Sequence, residues 1–167
     1  GYQRRMGRAE ATWLAALENR KVDVALTAPP VLETAINRGF AMMFIENTKG
    51  EDPSISEFLM ENLIARPETL KQDPDLVRRM VRALYKANQW ALSSTPEQVA
   101  EALRPTFAKT DPAIHLAGVR AVLPTLSRDG RTTEKSVQAT QDVLEQAELL
   151  KKRVAYGEIV SNEFLPK

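Results

Sequence analysis

Few residues in this chain carry side chains suited to acid–base, nucleophilic or metal chemistry, so their number and spacing decide what is open. His115 is the single histidine of 167 residues, and there is no cysteine. A histidine metal cluster, a serine–histidine–carboxylate triad and a thiolate nucleophile each need more than that. His115 therefore reads as a packing or surface histidine. The seven glycines are scattered, and with neither GxxxxGK nor GxGxxG present no loop is built to cradle a phosphate. Glu10, Glu18 and Glu33 stand beside basic residues on helical stretches, which makes them solvated faces rather than a general acid and base. Met42 and Met43 fall inside an apolar run and read as core packing. No catalytic residue, metal site or cofactor is expected.

Lysine and arginine total 23 against 22 aspartate and glutamate, a net charge of +1. That balance gives no electrostatic case for nucleic acid or an anionic membrane. A hydrophobic content of 43% over this length can bury a core. No run approaches the roughly 20 apolar residues of a membrane span. The first residues, GYQRRMGRAEATW, lack the apolar centre of a signal peptide, and the chain opens without a methionine. These features leave open a mature or truncated piece whose natural N-terminus carried an export signal.

The element that organises the pattern is Asp73 to Leu92. Leu76, Val77, Met80, Val81, Leu84, Ala87 and Ala91 recur at three- and four-residue intervals, which predicts an apolar stripe along one helix. Asp73 caps it and Pro74 suits its first position. Before it, the pattern alternates. Ala9 to Asn19 reads as a short amphipathic helix, closed by Arg20 and Lys21. Val22–Thr27 and Phe40–Glu46 read as buried strands, with a helix between them that starts at Pro30 and stops at Gly39. Strand, helix and strand predict a βαβ unit with parallel strands. Phe58–Arg66 reads as a further strand, ended by Pro67. After it, Thr95-Pro96-Glu97-Gln98 is a capping-box pattern, Asp111-Pro112 is another cap, and Thr133 opens a last long helix running to Leu150. The expected fold class is α/β, with βαβ units on the N-terminal side and a helix-rich C-terminal half.

Three stretches carry a resemblance. AALENRKVDVALTAPPVLETAINRG, LIARPETLKQDPDLVRRMVRALYKANQWA and DGRTTEKSVQATQDVLEQAELLKKRVAYGEIVSNEFLP resemble, in that order, segments of the second half of type II periplasmic solute-binding proteins. These serve ABC importers for nitrate, sulfonates, taurine and thiamine-pyrimidine precursors. Arg20 stands where the family usually has glycine.

The resemblance implies residues 1–66 as the remainder of a distal α/β lobe with its return crossover strand, and residues 67–167 as a helical segment that packs on a first lobe. It implies a small solute bound between lobes and delivered to a membrane permease, in the periplasm, without catalysis. It places Thr27, Ala28 and Pro29 at the ligand, where relatives often carry an acidic or aromatic residue; a hydroxyl and main-chain groups there suit a neutral or anionic solute. Alternatives on the same fold are a thiamine-pyrimidine synthase-like enzyme, whose histidine-bearing motif is not seen, and an effector-binding regulatory domain. The expected partners are the solute and the permease, with no nucleic acid. Without a first lobe to cover them, the helices are expected to support self-association.

Overall fold

The computed structural model describes residues 12–166. Helix α1 covers residues 12–18, and the expected helical start at 9–11 lies outside the described residues. There follow α2 (Val31–Asn37), α3 (Pro67–Gln72), α4 (Pro74–Ser93), α5 (Pro96–Leu103), α6 (Pro112–Val122), α7 (Glu134–Gln146) and α8 (Tyr156–Ile159), with short 3-10 turns at Asn47–Lys49, Pro53–Ile55 and Leu123–Thr125.

The helix starts follow from local chemistry. Asp73 accepts from the Leu76 N–H at 2.9 Å ahead of α4. Thr95 and Gln98 form a reciprocal capping box at α5, and Asp111 accepts from the N–H groups of Ala113 and Ile114 at α6. Thr133 accepts from the Ser136 N–H at α7. Each side chain satisfies N–H groups that a helix start leaves unpaired. Proline stands at the first position of α3, α4, α5 and α6, where no N–H is needed. Pro67 thus opens a helix where the sequence pattern placed only the end of a strand. α7 stops at Gln146 rather than at Leu150, because Glu148 takes a left-handed φ of 57° and the N–H groups of Leu149 and Leu150 both turn back to the Leu144 carbonyl.

The α/β expectation is corrected by the structure: among the described residues there is no strand and no sheet, and hence no βαβ unit. Val22–Thr27, Phe40–Glu46 and Phe58–Arg66 hold no regular secondary structure. Their apolar, β-rich composition favours extended backbone, but a strand exists only where a second strand takes up its N–H and C=O groups, and no backbone hydrogen bond joins these segments. The consequence is exposure: Leu26 is 83% exposed, Met42 84%, Phe44 80% and Ile64 88%. Met42 and Met43 are therefore not core residues.

The chain divides into two compact units, one from the stretch up to Phe44 with Ser94–Thr125, the other from Ile45–Ser93 with the stretch from Leu126 onward. In the first, α6 packs against α2 and α5, burying Val31, Ala35, Val99, Ala100, His115, Gly118 and Val119. In the second, α3 packs on α4 and α7 on the Pro53–Ile55 turn, around Val77, Ser136, Val137 and Gln141. The second unit is tied further by the Tyr156 hydroxyl and the Asn162 amide, both donating to the Thr132 carbonyl at 2.8 and 2.9 Å.

Candidate functional site

The three residues placed at the ligand by sequence lie together on the turn that leads into α2. Thr27 and Pro29 are half-buried and Ala28 is exposed. The turn is pinned from its C-terminal side. The Ala28 carbonyl accepts from the N–H groups of Val31 (3.1 Å) and Leu32 (3.4 Å). The Pro30 carbonyl accepts from the Thr34 N–H (3.0 Å) and the Thr34 hydroxyl (2.8 Å). Pro29–Pro30 is a cis peptide. With those carbonyls engaged in α2, the donors the turn retains are the Thr27 hydroxyl and the main-chain N–H groups of Thr27 and Ala28. These are hydrogen-bond donors without formal charge, and Ala28 adds only a methyl.

The turn sits on α6 at Gly118. A Cβ at position 118 would lie 3.1 Å from the Pro29 Cβ and 3.9 Å from both the Cδ and the Oε2 of Glu33. Pro29 is thus the close approach to this position, tighter than an added methyl would ordinarily meet, and the Glu33 carboxyl lies beside it at ordinary contact distance. Glu33 is the residue that the sequence pattern misplaces. It reads as a solvated helix face, yet its Oε2 is buried without a hydrogen-bond partner, and burial holds its carboxyl above the ordinary glutamate value of 4.5, opposed by a hydrogen bond from its own backbone. The available signal was Gly118 itself: a glycine inside PAIHLAGVRAV weakens a helix by about 1 kcal/mol relative to alanine, which marks a close approach.

The other candidates resolve into structural roles. Glu18 forms an exposed ion pair with Arg38 at 3.4 Å, and Glu10 lies outside the described residues. His115 is buried, its Nε2 3.0 Å from the Ala100 carbonyl and its ring stacked on Phe107 at 4.7 Å. A shallow pocket of about 170 Å³ in the same unit is lined by Glu97, Glu101, Arg104, His115 and neighbours, and by none of Thr27, Ala28 or Pro29. Its polar groups are largely engaged: Glu97 with Arg120 at 2.7 Å, Arg104 with the Thr110 carbonyl at 2.9 Å. The Arg120 guanidinium also holds the Glu97 carboxyl below its ordinary range. Among the described residues no three histidine or carboxylate side chains are grouped to hold a metal ion, and no helix is long and apolar enough to cross a membrane.

The chain is similar to a bacterial binding protein. The match is to a Bacillus subtilis (strain 168) protein named "Putative binding protein YtlA", 24% identical over 106 residues, which cover 62% of this chain and 32% of that protein. The chain thus spans about a third of the length of the curated relative it matches. No family model matches the chain, and no solved structure matches it.

Proposed function

We propose that this chain is the C-terminal half of a solute-binding protein of an ABC import system. It holds a small solute at the Thr27–Ala28–Pro29 turn and, with a further lobe, delivers it to a membrane permease from the periplasmic side. The observation that carries the proposal is the similarity over 106 residues to a protein named as a binding protein. The role is binding, with no catalytic step.

Two features of the chain support it. The turn presents a hydroxyl and N–H donors in place of a charge, which suits a neutral or anionic organic solute of the sulfonate, nitrate, taurine or pyrimidine-precursor class. An apolar stripe on α4 is also left open to cover: Leu76, Met80 and Leu84 line one side of the helix and are each about half exposed, while Val77 on the adjoining side is buried. Covering a Leu or Met side chain that is half in water is worth about 1 kcal/mol, so a second lobe seated on this stripe gains several such increments. Leu26, Phe44 and Ile64 are likewise exposed.

A thermal-shift screen of the protein in its full natural length against taurine, alkanesulfonates, nitrate and aminopyrimidines tests the proposal. One class raising Tm saturably, with the rise growing as RT ln(1 + [L]/Kd), is the expected result. Turnover of any of these solutes by the purified protein would overturn the assignment as a binder.

A further inference from the structure

We propose that the seam between α2 and α6 is a proton-operated latch on the turn at residues 27–30, in which the Glu33 carboxyl seats against Gly118 when protonated and withdraws when ionised. Its consequence for solute affinity rests on that turn being the binding site; the latch itself does not.

The geometry is specific. Glu33 Oε2 is buried with no hydrogen-bond partner among the described residues and lies against Gly118 beside Pro29. An anionic oxygen without a donor in such a place is costly, and the hydrogen bond from the residue's own backbone offsets less than burial costs, whereas the neutral acid loses most of that penalty. Among the described residues no cation is paired with the carboxyl. The titratable groups on the elements packed around α2 are committed elsewhere: His115 on α6 to the Ala100 carbonyl, Arg120 on α6 to Glu97, and Glu18 on α1 to Arg38 just past the far end of α2. Glu33 is the single ionisable side chain within α2. The chain is thus left with two ways to relieve the seam, a proton on the carboxyl or a swing of the side chain into water.

The direction of the response follows from burial, which raises the carboxyl above its ordinary 4.5. Between that value and the raised one, the folded state binds more protons than the unfolded state, so stability falls as pH rises through this window and levels off above it. The α2–α6 seam is tightest on the acid side. The turn moves with it, because the Ala28 and Pro30 carbonyls are bonded into the first turn of α2.

The test combines a carbon-detected NMR titration of the Glu33 carboxyl in the wild-type protein with amide hydrogen exchange across residues 31–37, in wild type and in Glu33→Gln. The expected result is a Glu33 midpoint above that of the exposed glutamates. Exchange in α2, corrected for its intrinsic pH dependence, should accelerate by up to about tenfold per pH unit through the window. Glu33→Gln should abolish that acceleration. A Glu33 midpoint at or below the ordinary value, or parallel exchange profiles in the two proteins, overturns the latch, and the first of these needs no variant to fold. Solute affinity that falls with pH in wild type and not in Glu33→Gln extends the latch to the binding site. Affinity indifferent to pH while α2 exchange responds keeps the latch and removes the turn from the site.

Discussion

Replacing Gly118 with alanine sets two effects of known size against each other. Alanine inside α6 is favoured over glycine by about 1 kcal/mol, because glycine surrenders more backbone freedom on folding. The new methyl, however, would stand 3.1 Å from the Pro29 Cβ, several tenths of an ångström inside normal contact. Relief has to come from Pro29, whose ring is rigid. The backbone on either side is also fixed, Ala28 by two N–H groups and Pro30 by both the N–H and the hydroxyl of Thr34. Overpacking of this kind costs about 1–3 kcal/mol. The net expectation is a loss of about 1 kcal/mol, read as a lower urea midpoint at unchanged m-value and a fall in Tm of roughly 2–4 °C. Gly157→Ala is the control, since nothing lies within 4 Å of a Cβ built there. A Gly118→Ala protein more stable than wild type by about 1 kcal/mol would mean that propensity acts alone and that α2 does not seat on α6 as described.

Other outcomes follow from single residues. Thr133→Ala removes the side chain that accepts from the Ser136 N–H at 3.1 Å and should cost about 1 kcal/mol in a denaturant titration. Arg20 holds a φ of 54° at the position where the resembled family carries glycine. Arg20→Gly removes a left-handed strain of about 1–2 kcal/mol at an unfolded-state cost of about 0.5–1 kcal/mol, so Tm should rise slightly. The half-exposed Met80 and Leu84 should drive concentration-dependent association of this chain in light scattering. Met80→Lys with Leu84→Glu should hold it at the 18.7 kDa monomer, and association unchanged in that double variant places the contact elsewhere.

What the sequence shows and what it hides divides along the range of the interactions. The caps at Asp73, Thr95, Asp111 and Thr133 are three-residue events, a side-chain oxygen and an N–H two or three positions on, and all four form. The runs Val22–Thr27, Phe40–Glu46 and Phe58–Arg66 have strand composition, but pairing is decided by a partner segment, and no described residue supplies one. Composition there is legible as extended and apolar, not as a sheet. Glu33 failed for a related reason. Its neighbours on the helix make it look solvated, whereas its carboxyl lies against Gly118 of α6, far along the chain. The helix that the sequence pattern starts at Pro30 and stops at Gly39 does form, as Val31–Asn37, because its limits are set by local chemistry.

Whether the Thr27–Ala28–Pro29 turn holds a solute is tested most directly by calorimetry of wild type and Thr27→Glu in the full natural protein, using taurine, alkanesulfonates, nitrate and aminopyrimidines. Wild type should bind one class saturably at one site. For an anionic solute, Thr27→Glu should weaken that binding tenfold or more, about 1.4 kcal/mol, by setting a carboxylate where only a hydroxyl and N–H donors stood. Affinity that is the same in both proteins would contradict it.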